Sequence, residues 1–186
     1  MRRGSVLAVS SPKVLSLATN ETVDPEELGG WEMHSQTTGI ADRIVDTDHE
    51  AIALMKSFLS YLPSNNNEIP PNKKATKDSL KKIDEILSVI PENSKRTYDM
   101  REVIKLIADD DTSFPMKHNF AKSAVTELAR LDGKTVGFIG SNPKFNGGAM
   151  DPNACDKITS FIVFCDSFNI PIILYIVYQS IFQPMY

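Results

Sequence analysis

Ala129-Arg130-Leu131-Asp132-Gly133-Lys134-Thr135-Val136-Gly137-Phe138-Ile139 reads as a strand, a tight Asp-Gly turn and a second strand. A glycine-rich loop follows from Gly140 to Gly148, then a helical pattern over residues 153–166 and an apolar run over 170–177 that is broken only by Pro171. Strand, loop, helix and strand in that order specify an α/β layer. A membrane-spanning helix needs about 20 apolar residues, so the run is read as a buried strand.

Upstream, residues 99–108 predict an amphipathic helix whose apolar face is Val103, Ile104 and Ile107, closed by Asp109-Asp110-Asp111. Residues 79–90 predict another, through Leu80, Ile83, Ile86, Leu87 and Ile90. Before it, residues 64–77 carry three consecutive Asn, two Pro and three Lys, a composition that buries little and reads as an exposed linker. Five lysines between Lys73 and Lys82 offer an anionic docking patch, with a solvated linker as the simpler reading. Nearer the start, residues 6–17 suit a short strand and a turn of helix. Asp24 caps a helix begun by Pro25 and stopped by Gly29-Gly30, and Ile44-Val45 reads as a brief strand. Thr47 or Asp48 caps a helix with Ile52, Met55, Leu59 and Leu62 on one face, ended by Pro63.

The 186 residues are 41% hydrophobic and 24% charged, which excludes wholesale disorder, collagen and coiled coil. A net charge of −4 argues against a dedicated nucleic-acid binder. Two cysteines, Cys155 and Cys165, are too few for a disulfide scaffold and read as small packed hydrophobes on one helix. No signal segment or membrane span is evident, so a cytoplasmic location is expected. His34, His49 and His118 lack the spacing of metal ligands, and His34 reads as a hydrogen-bonded surface histidine.

The remaining chemistry lies in Gly140-Ser141-Asn142-Pro143 and Gly147-Gly148. A strand that ends in a glycine-rich loop before a helix can aim backbone N–H groups at an anion or oxyanion, as thioester chemistry requires. A plain connecting loop is the alternative, and the spacing matches no standard nucleotide fingerprint. Asp151 and Asn153 read as helix caps, Asp156 as a first-turn acid and Lys157 as an exposed lysine.

Residues 19–30, Thr19-Asn20-Glu21-Thr22-Val23-Asp24-Pro25-Glu26-Glu27-Leu28-Gly29-Gly30, with His34 and Thr38-Gly39-Ile40-Ala41, resemble the biotin-dependent acyl-CoA carboxylase carboxyltransferase (β) subunits. That family includes propionyl-CoA carboxylase and methylmalonyl-CoA carboxyltransferase. Tyr98-Asp99-Met100-Arg101-Glu102-Val103-Ile104 resembles its YDxRxVI block, and residues 129–137 its ARxxGxxVG block. A fourth similar block runs from Asp151 through Asp156-Lys157 to Phe164-Cys165-Asp166-Ser167-Phe168-Asn169-Ile170-Pro171.

The resemblance implies a crotonase-like (ClpP/crotonase) α/β spiral, here incomplete. Residues 1–62 would be the end of an N-terminal carboxyltransferase domain, 63–78 a linker, and 79–186 the start of a C-terminal one. It implies transfer of CO2 from carboxybiotin to the enolate of propionyl- or acetyl-CoA, with backbone N–H groups as oxyanion donors. Biotin would arrive on a separate carrier domain. Expected partners are a biotin carboxylase or biotin carrier subunit and other carboxyltransferase subunits in the family's hexamer. Gly140, Ser141, Asn142, Gly147 and Gly148 are the implied biotin-side oxyanion loop. After Leu174 the chain departs from the family, since Val177-Tyr178-Gln179-Ser180-Ile181-Phe182-Gln183-Pro184 stands where a D-x-P-G-F-L-x-G loop would follow. Asn20 likewise replaces a glycine, and Ser141-Asn142 an Asn-Gln pair. A truncated fragment is expected, either a piece of a split enzyme or an inactive remnant serving subunit contact.

Overall fold

The computed structural model describes residues 2, 4–75, 83–93 and 96–176. Its centre is β3 (Lys134–Ser141), an inner strand of a four-stranded sheet ordered β1-β2-β3-β4. β3 pairs antiparallel with β2 (Ala124–Leu131) and parallel with β4 (Ile172–Tyr175). A three-residue edge strand, β1 (Phe114–Met116), runs antiparallel to β2. The Asp-Gly turn forms as read. Asp132 at φ 51° and Gly133 at φ 77° take the left-handed conformations of a tight hairpin turn. The Asp109 carboxylate pins it by accepting from Asp132 N–H (3.1 Å) and Gly133 N–H (2.8 Å).

A parallel pair needs a crossover, and α6 (Pro152–Ser167) supplies it between β3 and β4. α5 (Met100–Ile107) covers the other face, with Val103 and Ile104 buried as the spacing predicts. Successive strand residues point to opposite faces, so Val136 and Phe138 join Met100, Val103 and Ile104, while Ile139 joins Phe161 and Cys165. Burial on both faces explains why β2 and β3 lack the alternation of a half-exposed strand. Two glycines let the helices come close. A Cβ on Gly137 would lie 2.8 Å from Cys165 Sγ, and one on Gly140 2.8 Å from Met100 Cγ.

The N-terminal third is helical: α1 (Pro12–Thr19), α2 (Pro25–Gly29), a π-helical turn at Met33–Thr37, and α3 (Asp48–Leu59). The strands expected near residue 6 and at Ile44-Val45 do not form. These stretches find isolated backbone bonds, Leu7 N–H to Gly29 O and Arg2 N–H to Val45 O, rather than a ladder. α3 starts at a Thr47–Glu50 capping box and ends at Leu59, before Pro63. Its buried face also differs from the expected one. Ile52, Met55 and Leu59 are exposed, because Phe58 stacks between Phe114 and Phe164 at 5.7 Å from each and turns Leu54 inward with it.

The described part of the connector is tied to the hairpin turn and to the turn that follows α6. Lys73 N–H donates to Gly133 O, and Asn169 Nδ2 donates to Asn66 O and Glu68 O. Lys77, Lys81 and Lys82, the start of the helix expected from residue 79, and residues 177–186 lie outside the described residues. The helix itself is described as α4 (Ile83–Val89). Among the described residues no helix is long and apolar enough to cross a membrane.

The close approach at Gly137 generates a prediction. Gly137→Ala should lower unfolding stability in urea by about 1–3 kcal/mol through overpacking. Adding Cys165→Ala should recover part of that loss, and strictly additive costs would contradict the contact.

Candidate functional site

β3 runs out at Ser141, and the chain must then turn into α6. Asn142 and Pro143 leave the sheet, a short 3-10 turn forms at Asn146–Gly148, and Asp151 caps α6 by accepting from Ala154 N–H at 2.7 Å. Asn146 (φ 48°), Gly147 (φ 62°) and Gly148 (φ 80°) are all left-handed, which makes glycine the natural residue at the last two. Asn142, Gly147 and Gly148 therefore share one loop at the carboxyl end of an inner strand, whereas Gly140 and Ser141, expected at the start of that loop, are the last two residues of β3 because both stay paired with β2. The N–H groups of Phe145, Gly148 and Ala149 bond within it, to Asn142 O, Phe145 O and Asn146 O.

Asn142 anchors the loop. It is fully buried, donates from Nδ2 to Asp99 Oδ1 (2.9 Å), and accepts at Oδ1 from Met100 N–H (3.3 Å) and Lys144 N–H (3.4 Å). Its own N–H donates to Ser123 O at 2.7 Å. Burial alone would raise the Asp99 carboxyl. The Arg101 N–H and guanidinium, the Asn142 amide and the Lys144 ammonium outweigh it and hold Asp99 below the usual carboxylate range.

Lys157 departs from the exposed position expected for it. It is 1% exposed, and its Nζ donates to Ala124 O (2.7 Å), Phe120 O (2.9 Å) and Ala121 O (3.4 Å). Three carbonyls satisfy the three N–H bonds of an ammonium, which ties α6 to the turn before β2. Burial pushes its pKa down to about 7, with Arg101 and Lys117 adding repulsion. Cys155 is exposed, contrary to the packed role expected, whereas Cys165 is buried and its thiol is pushed up to about 12 by desolvation. His34 bonds as expected, through Nε2 to Leu7 O (2.6 Å) and Nδ1 to Thr38 Oγ1 (3.1 Å).

Glu127 went unnoticed in the sequence. It lies buried on β2, where Ser113 Oγ donates to it and desolvation raises its carboxyl. Nearby, a cavity of about 390 Å³ is lined by Arg2, Asp42, Arg43, Ser113, His118 and Asn119 among others. His118 is pushed down to about 4, by burial first and then by Arg101, Arg43 and Lys157. Among the described residues no group of His, Cys, Asp and Glu is placed to hold a metal ion. A glycine-lined strand end of this kind can offer backbone donors.

The carboxyl transferase domain family matches residues 1–176. The propionyl-CoA carboxylase carboxyltransferase subunit of Haloferax mediterranei is 36% identical over 176 residues, 95% of this chain and 34% of its own length. Methylmalonyl-CoA decarboxylase subunit alpha of Veillonella parvula is 35% identical over 176 residues, again 95% of this chain and 35% of its own. Transcarboxylase 12S, a hexamer solved with methylmalonyl-CoA and methylmalonic acid bound, superposes with a TM-score of 0.88 at 32% identity. The match covers 97% of this chain and 36% of that one. The α/β arrangement is thus part of a crotonase-type carboxyltransferase fold, and the chain spans about a third of the length of these relatives.

His118 yields a pH prediction. Its pKa falls from 6.5 to about 4 on folding, so between these values the unfolded chain binds the extra proton. The stability it contributes is present above 6.5 and is lost as pH falls toward 4. The urea midpoint should decline over that window, and His118→Gln should flatten the decline. Identical pH profiles for the two proteins would contradict it.

Proposed function

Because this chain belongs to the carboxyl transferase domain family, we propose that it forms one wall of a carboxyltransferase site, with the 140–148 loop as the source of backbone oxyanion donors. The observation that carries this reading is the loop's conformation: positive-φ glycines at the carboxyl end of a strand buried on both faces. Phe145, Gly148 and Ala149 commit their N–H groups within the loop, so the donors proposed are Asn146 and Gly147. A neutral, carbonyl-like acceptor suits such donors, as a ureido or thioester oxygen would.

The substrate proposed is a small acyl-CoA, propionyl- or acetyl-CoA, the first of which appears in the name of the Haloferax mediterranei relative. Biotin on a separate carrier domain would bring the carboxyl group. The residues in hand then hold the loop still (Asn142, Asp99, Lys157) and offer N–H groups to developing negative charge. No side-chain nucleophile is required. The proposed partners are a biotin carboxylase or carrier subunit and further carboxyltransferase subunits. A second reading, a subunit-contact role without catalysis, is favoured by the exposed Ile52, Met55 and Leu59 on α3.

The test is carboxybiotin-dependent carboxylation of propionyl- and acetyl-CoA, using the chain alone and combined with a carboxyltransferase N-terminal half from the family. Carboxylation above background in the combination is expected. Gly148→Val puts a β-branched side chain on a φ of 80° and so displaces the adjoining Gly147 N–H, which should cut it on the order of 100-fold, the scale of a lost oxyanion donor. Lys134→Ala, at an exposed site on the far end of β3, should leave it unchanged. Equal activity of the two variants, or no carboxylation with a folded chain, would overturn the reading.

A further inference from the structure

The block from Tyr98 to Ile104 entered as sequence similarity with no chemistry attached, yet the structure places its aspartate against the loop. Asp99 Oδ1 accepts from Arg101 N–H (3.2 Å), capping α5, and the same oxygen accepts from Asn142 Nδ2 (2.9 Å). Oδ2 faces Lys144 Nζ at 3.4 Å and an Arg101 guanidinium nitrogen at 3.9 Å. One carboxylate thus closes a ring that joins the start of α5, the buried Asn142 side chain and the outward Lys144. Asn142 answers in the other direction by accepting Met100 N–H from that same helix turn.

Such a ring has one geometry. Asn142 is wholly desolvated, so losing the Asp99 acceptor would leave a buried amide N–H without a partner, which costs more than the bond itself contributes. Any shift of the loop relative to α5 breaks at least two of these bonds. We propose that Asp99 is a positioning residue: through Asn142 it fixes the loop from Lys144 to Gly148 and so where Asn146 and Gly147 present their backbone N–H groups. Its bearing on catalysis rests on the reading of this loop as the transfer site.

Two substitutions separate this role from ordinary helix capping. Serine caps a helix about as well as aspartate but is one atom too short to keep the Asn142 bond, whereas asparagine keeps an acceptor in place. Amide hydrogen exchange on the full 15N-labelled chain is the readout. Asp99→Ser should speed exchange at Lys144 and Phe145 on the order of tenfold, the scale of one lost charged hydrogen bond, with Val103 and Ile104 unchanged. Asp99→Asn should restore the native rates. Loop rates in Asp99→Ser equal to native, or loop and α5 accelerated by the same factor, would overturn the proposal. In the complemented carboxylation assay, Asp99→Ser should lose activity and Asp99→Asn should keep most of it. If the loop amides respond while Asp99→Ser retains full activity, the positioning role stands and the assignment of the loop as the transfer site falls.

Discussion

The fold depends on β3 being covered from both sides at once. A strand in that position must bury alternate residues against two different helices, and the side chains of β3 divide accordingly. Val136 and Phe138 pack toward α5, and Ile139 packs toward α6 with Phe161 and Cys165. Each helix also sits where a side chain would not fit, over Gly140 on one face and Gly137 on the other. Sheet and helices are therefore mutually fixed, and the loop leaving β3 has its starting point set by the core rather than by its own residues.

Polar groups then fix the direction in which that loop leaves. Asn142 is bonded to Ser123 on β2's approach and to Asp99 and Met100 at the head of α5. Lys157, on the helix that receives the loop, is held by the carbonyls of Phe120, Ala121 and Ala124. The segment around Ser123 is gripped from both ends of the loop. Desolvating a lysine and an amide is costly, and here each is satisfied by several partners, so the cost of moving any one element falls on the rest. A backbone oxyanion site, as proposed for this loop, needs donors that do not reorganise during reaction, and bracing of this kind suits that role.

Much of this was legible in the sequence, and what was not has a common cause. Local signals read through: the Asp132-Gly133 turn, the caps at Asp24 and Asp151, Thr47 as one of the two caps offered for α3, and the strand–loop–helix–strand order. Periodicity gave the apolar face of α5 correctly, because Val103 and Ile104 share one core cluster with Val136 and Phe138. On α3 it pointed to Ile52, Met55, Leu59 and Leu62, of which only Leu62, past the helix end, packs on the core, whereas the aromatic rings of Phe114 and Phe164 select Phe58. Lys157 looked like a surface lysine, since the carbonyls that bury it lie 33 to 37 residues earlier in the chain. Glu127 and Ser113 are joined in the same long-range way. Strand-end chemistry and family resemblance together pointed to residues 140–148, where the structure keeps Gly140 and Ser141 in β3, but the anchoring by Asp99 had no local signature.

The most direct measurement is the pattern of nuclear Overhauser contacts from the two inner-strand glycines. Enclosure of β3 predicts contacts from Gly137 Hα to the Phe161 ring and from Gly140 Hα to the Met100 side chain in the same folded chain. Contacts from only one of the two glycines would mean that one face of the strand is open, and the account of a loop fixed by a two-sided core would be wrong.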